Sequence, residues 1–141
     1  MGCPVVHFEI IGKRPAKLRQ YFGALFGWEF DTSVPVSAAV SESGNYGFTD
    51  RTTAGEATGI PGGVGGGAAY DALVTFYVCV PDVEAALEKA ESLGGTRRLG
   101  PEHGPGSSLV LGHFTDPEGN LIGLVKAPSA TDRPSRRGQK A

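Results

Sequence analysis

With 141 residues the chain has room for one domain with its own core. Its 40% apolar and 20% charged residues exclude disorder over most of its length. No apolar run approaches the roughly 20 residues of a membrane span, and no basic segment followed by an apolar one opens the chain, so a cytoplasmic location is expected.

The net charge of −2 is unevenly distributed. Positions 1–127 hold 14 acids and 9 bases, for −5, whereas positions 128–141 set Asp132 against Arg133, Arg136, Arg137 and Lys140, for +3. A mildly acidic body argues against a nucleic-acid surface on the fold. The basic tail reads as a disordered terminus, with an electrostatic arm for RNA or membrane as the alternative. Cys3 and Cys79 are too few for a disulfide framework or a zinc site and read as reduced thiols, Cys79 as a small core or pocket residue.

In chain order, Val5 to Ile11 is a β-branched and aromatic run closed by Gly12, which predicts a strand with His7 and Glu9 on one face and Phe8 and Ile10 on the other. From Pro15, the residues Leu18, Tyr21, Phe22, Leu25 and Phe26 recur at helical spacing as one apolar stripe. Pro15 suits the first helical position and Gly27 the residue past the end, while Arg14 is a poor N-cap. Trp28–Glu29–Phe30 reads as a second strand and Asn45 to Thr49 as a third.

Glycines number 22, about twice the usual share of ~7%. They cluster in GIPGGVGGG, Gly59 to Gly67, which is either a flexible connector or a place where backbones approach closely. The pattern then returns. Ala72 to Val80 predicts a strand, and Asp82 caps a helix whose stripe is Val83, Ala86, Leu87, Ala90 and Leu93, closed by Gly94–Gly95. A basic connection at Arg97–Arg98 and a Gly/Pro loop from Gly100 to Gly106 lead to HFTDPEGNLIGLVKA, His113 to Ala127. There two apolar runs flank Asp116–Pro117–Glu118–Gly119–Asn120, a β-hairpin with the turn residues it needs.

Two halves with one plan form an internal repeat, and aligning HFEI on TFYV sets His7 on Thr75 and Phe8 on Phe76. A half of about 60 residues cannot close a core alone, so the halves should pair their sheets around a shared interior.

HFEIIGKRPAKLRQYFGALFGWEF, DVEAALEKAESLGG and HFTDPEGNLIGLVKA together resemble the glyoxalase/bleomycin-resistance/dioxygenase superfamily, the vicinal oxygen chelate (VOC) family, over residues 4–127. The resemblance implies an α+β fold in which two tandem βαβββ modules, about 4–67 and about 71–127, curl into half-barrels that form a glyoxalase-type cup. It also implies homodimerisation, with the glycine run as a connector that would permit exchange of modules between copies.

Catalytic members of the family hold a divalent metal with His and Glu side chains from the first and last strands of each module. Carried over position by position, His7 fills its slot, Thr75 stands in the equivalent slot of module two, and Gly123 replaces the carboxylate of the last strand. The last strand of module one falls in GIPGGVGGG, which has neither carboxylate nor imidazole. The usual metal site is therefore expected to be lost and no cofactor is expected. The alternative is a divalent metal at His7 held by a displaced His7–Glu9–His113 set.

His7 and Glu9 are the candidate catalytic residues, and Glu9, facing into an apolar cup, should be paired with a donor such as Lys or Arg. Tyr46, Phe48, Thr75, Tyr77, His113 and Gly123 are candidates for binding a small molecule. Of these, Tyr46 and Tyr77 carry hydroxyls that need partners. His103, in the Gly/Pro loop, should be exposed. GGVGGG lacks the strand, helix and Lys-Ser/Thr context of a phosphate loop, and no Gly-x-Ser-x-Gly is present. The function expected is binding of a small organic molecule in the cup, with no nucleic acid and no membrane as partner. The alternatives are a metal-dependent lyase, isomerase or dioxygenase, and an antibiotic-sequestering protein of the bleomycin-binding type.

Overall fold

The computed structural model describes residues 2–105 and 109–126; the expected basic tail, 128–141, lies outside them. Elements run β1 (Val5–Gly12), α1 (Pro15–Phe26), β2 (Gly47–Thr49), β3 (Thr53–Ala54), β4 (Ala57–Thr58), β5 (Gly62–Gly66), β6 (Leu73–Cys79), α2 (Val83–Ser92), β7 (Thr96–His103), β8 (Val110–Thr115) and β9 (Leu121–Lys126). Seven strands form one sheet in the order β2-β5-β1-β6-β9-β8-β7, and β3 and β4 pair separately. The α+β class is as expected.

The two halves meet where β1 and β6 run antiparallel with Phe8 opposite Phe76, His7 opposite Tyr77 and Glu9 opposite Thr75. Each of these strands is flanked by a parallel partner, β5 beside β1 and β9 beside β6. The halves are thus related by an approximate two-fold axis between Phe8 and Phe76. It maps Glu9 onto Tyr77, and it maps Gly63, the β5 partner of Glu9, onto Gly123, the β9 partner of Tyr77.

The closing hairpin forms as its residues dictate. Asp116 accepts through its side chain from the backbone N–H of Glu118 and of Asn120, each at 2.9 Å, and Gly119 takes a φ of 93°. Helix α2 is capped by the Asp82 carboxylate, which accepts from Ala85 N at 3.0 Å, and it buries Val83 and Leu87 against Leu124. Helix α1 starts at Pro15 without a side-chain cap and ends at Gly27 in the left-handed region. Its stripe is not core. Tyr21, Leu25 and Phe26 are each more than half exposed, while Phe22 and Trp28 stack beside Phe8 on the outer face of the sheet. Leu93, the C-cap of α2, is likewise exposed.

Three segments differ from expectation. Among the described residues Trp28–Phe30 joins no ladder and Asp31 alone bridges to Phe48 on the outer edge of the three-residue β2, while Trp28 packs against Phe8 and Phe22. The glycine run is not a flexible connector. Residues 62–66 are the fully buried strand β5, held between β1 and β2. The expected basic connection and the start of the Gly/Pro loop are instead the edge strand β7, Thr96–His103, with register shifts that accommodate Gly100 and Pro101. An edge position tolerates a proline that cannot donate to a ladder. His103 is exposed as expected, but from this strand.

Candidate functional site

The inner face of the sheet presents, in one rung, His7, Tyr77, Gly123 and His113, which are Cα partners across β1, β6, β9 and β8. Paired residues in a sheet share a face, so alternation along β1 brings Glu9 to the same side. Tyr46 reaches it from the segment before β2. The five polar side chains form one hydrogen-bonded chain. His7 Nε2 lies 2.8 Å from the Tyr46 hydroxyl, which donates to Glu9 Oε1 at 3.0 Å. The Tyr77 hydroxyl donates to both Glu9 oxygens, at 3.2 and 3.1 Å, and lies 2.7 Å from His113 Nε2. With each tyrosine donating to the carboxylate, each imidazole serves as the donor to its tyrosine, through an Nε2–H.

Glycine makes this arrangement possible. A Cβ on Gly63 would lie 2.0 Å from the Tyr46 ring, and a Cβ on Gly123 would lie 2.5 Å from Cδ2 of Tyr77. The two glycines related by the approximate two-fold axis each receive a tyrosine ring in the space of the missing side chain. Gly62 does the same on the outer face for Phe8.

Burial sets the protonation of the chain. Glu9 is 3% exposed, and loss of water pushes its carboxyl up to about 7, against the opposing pull of the two tyrosine hydrogen bonds. Burial holds the His7 imidazole down to about 4 and lowers that of His113. Burial, and then the adjacent Glu9, raise both phenols. The donor that satisfies Glu9 is thus a pair of hydroxyls and not the Lys or Arg expected.

A cavity of about 520 Å³ opens above this chain. His7, Glu9, Tyr46 and Tyr77 form its polar floor, and Val34, Val36, Val40, Phe48, Leu111 and Val125 are among its apolar walls. Cys79 also lines it, as a free thiol. Of the sequence candidates, His7, Glu9, Tyr46, Phe48 and Tyr77 therefore converge on one space. The other three do not line it. Thr75 is buried and donates to the Leu121 carbonyl at 2.7 Å, Gly123 lies under the Tyr77 ring, and His113 stands behind Tyr77. Ser37, also on the wall, was not singled out from sequence; its hydroxyl donates to Glu102 at 3.0 Å and ties the 32–45 segment to β7.

The positions to which the family resemblance assigns metal ligands do not fit a metal as they stand. They offer one imidazole already bonded to Tyr46, one hydroxyl turned to a carbonyl, and two glycines filled by rings. The displaced His7–Glu9–His113 set is not assembled either, because a tyrosine hydroxyl stands between each imidazole and the carboxylate. Among the described residues no three His, Cys, Asp or Glu side chains converge as ligands.

Comparison with known proteins agrees with this architecture. The family model of the Glyoxalase/Bleomycin resistance protein/Dioxygenase superfamily matches residues 5–124, and the chain belongs to that superfamily. No curated protein matches it. The solved structure of methylmalonyl-CoA epimerase in complex with methylmalonyl-CoA and NH4+ is similar with a TM-score of 0.64 at 14% identity, over 94% of this chain and 99% of that one. A variant of the Streptomyces coelicolor methylmalonyl-CoA epimerase in complex with 2-nitronate-propionyl-CoA gives 0.62 at 14%, over 90% and 99%. A superfamily member from Vibrio splendidus 12B01 gives 0.54 at 15%, over 89% and 100%. At these identities the likeness is one of fold. Among the described residues no helix is long and apolar enough to cross a membrane.

Proposed function

We propose that this protein binds a small organic molecule, apolar over most of its surface, in the cup above His7 and Glu9, without a resident metal. The observation that carries the reading is the cavity itself. Its volume of about 520 Å³ lies in the range of small-molecule sites, and its apolar walls surround a few convergent polar groups. Support for the metal-free part comes from Tyr46 and Tyr77, whose rings fill the side-chain space at Gly63 and Gly123.

The bleomycin-binding alternative predicts several acidic groups in the groove, whereas Glu9 is the one carboxylate among the described lining residues. The solved epimerase neighbours hold acyl-CoA molecules, which keeps an acyl group within the class of ligands to test. Homodimerisation belongs to the same proposal, and size-exclusion chromatography with light scattering measures it.

Screening apolar acids, ketones, phenols and short acyl thioesters by thermal shift tests the binding. A stabilising ligand raises the melting temperature in proportion to ln(1 + [L]/Kd), and Val36→Trp, which fills the cavity, abolishes the rise. A rise that survives Val36→Trp unchanged overturns the site. Metal analysis of protein purified without chelator tests the other half, and a tightly held stoichiometric divalent ion overturns it.

A further inference from the structure

We infer that His7, Tyr46 and Glu9 form a proton relay through which the cup performs metal-independent proton transfer on a bound carbonyl compound with an acidified neighbouring C–H. This rests on the proposal that a small molecule enters the cup. The relay itself rests on connectivity. His7 lines the cavity and makes one side-chain hydrogen bond, through Nε2 to Tyr46. No hydrogen bond engages His7 Nδ1 among the described residues, and no buried side-chain nitrogen or oxygen there lacks a partner, so Nδ1 is not fully enclosed. From the other ring nitrogen, Nε2, distances of 2.8 and 3.0 Å lead through the Tyr46 hydroxyl to the Glu9 carboxylate.

The step balances. The substrate C–H bond breaks, its proton becomes N–H at His7 Nδ1, and its electron pair stays on the substrate as an enolate. His7 releases Nε2–H to the Tyr46 oxygen, and Tyr46 passes its own hydroxyl proton to Glu9 Oε1. His7 ends neutral in the other tautomer and Tyr46 ends neutral. One negative charge has moved from Glu9 to the substrate. Reversal returns the proton to the same carbon or to another conjugated one, an isomerisation that needs no oxidant, reductant or water.

Charge conservation is the reason this suits an apolar cup. A second buried charge would cost several kcal/mol, and the relay never creates one. Direction comes from connectivity, because the path from His7 through the Tyr46 hydroxyl ends at Glu9, the one carboxylate among the described lining residues. The titratable groups facing Glu9 are Tyr46 and Tyr77, with His7 and His113 behind them, and the described lining contains no Lys or Arg. Tyr77 and His113 are positioning residues. Tyr77 clamps both carboxylate oxygens, and His113, away from the cavity, orients Tyr77.

A ligand-free NMR titration tests the relay apart from any ligand screen. With the imidazole nitrogens and Glu carboxyls labelled, the His7 ring should change from the Nε2–H to the Nδ1–H tautomer in the same pH step that protonates Glu9. In Tyr46→Phe, which keeps the ring over Gly63, Glu9 should still titrate while the His7 tautomer no longer follows. A His7 tautomer that ignores the Glu9 step in wild type, or follows it in Tyr46→Phe, overturns the relay. Exchange of the α-protons of 2-tetralone in D2O tests its catalytic use. Wild type should accelerate exchange, and Glu9→Gln should lose on the order of 10²-fold. No acceleration by wild type, or equal rates in the two proteins, overturns the catalysis.

Discussion

The ring of Tyr77 lies where a side chain at Gly123 would have to be, with Cδ2, Cε2 and Cγ all within 2.8 Å of a Cβ built on the glycine. The two residues are Cα partners in the parallel pair of β6 and β9, so neither can move away without breaking the ladder. A strand that delivers a carboxylate in the family's catalytic members has here become the seat of an aromatic ring. That ring's hydroxyl now holds Glu9.

Gly123→Ala should therefore destabilise by about 1–3 kcal/mol through overpacking. The same substitution should cost almost nothing in a Tyr77→Ala background, where the ring is gone. Urea unfolding of the four proteins gives the coupling directly, and additive effects would mean that the ring and the glycine do not share the space.

Removing one tyrosine hydroxyl leaves the buried carboxylate with a lost donor. Tyr77→Phe should cost about 1–3 kcal/mol, more at pH 8 than at pH 5, because only the ionised carboxylate depends on both donors. Both hydroxyls pull the Glu9 carboxyl down against burial, so the substitution should also move its titration upward from about 7. A carboxyl 13C shift that titrates unchanged in Tyr77→Phe would falsify the assignment of this hydrogen bond.

The parts of the fold that could be read in the sequence are those whose information is local. The Asp116–Asn120 turn, the Asp82 cap and the Pro15 and Gly27 ends of α1 each depend on residues a few positions apart, and all appear as expected. Strand β5 has four glycines in its five residues and thus no intrinsic strand signal; it is a strand because β1 and β2 pair with it. Strand β7 was hidden by Gly100 and Pro101, which punctuate most segments but are tolerated at an edge. In the site, alternation put His7 and Glu9 on one face, but the donors to Glu9 are 37 and 68 residues away in sequence, beyond any local pattern. The available signal was that two tyrosines needed partners for their hydroxyls.

The apolar stripe of α1 shows a different limit, since periodicity gives a face but not what covers it. Leu25 is 56% exposed, so Leu25→Lys should change stability by no more than about 0.5 kcal/mol. Leu87 on α2 is fully buried, and Leu87→Ala should cost about 2–5 kcal/mol. Chemical denaturation of both variants checks the contrast, and a large loss in Leu25→Lys would show that this face is covered in solution.

Stability should carry the mark of Glu9 across mildly acidic pH. Its carboxyl rises from 4.5 to about 7 on folding, so between those values the folded protein holds a proton that the unfolded chain has released. Stability from this group is therefore full below 4.5 and falls as pH rises to about 7, by on the order of 3 kcal/mol. His7 acts in the opposite sense. Its imidazole drops from 6.5 to about 4, so folding loses stability as pH falls through that interval, and His113 adds to the same acid-side loss. In wild type the slopes of Glu9 and His7 oppose each other between 4.5 and 6.5, and raw stability hides the carboxylate. Glu9→Gln removes one slope and leaves the histidines unchanged. The stability of Glu9→Gln relative to wild type should rise steadily from pH 4.5 to 7 and level off above, and a difference that is flat with pH would show that Glu9 does not titrate in this window.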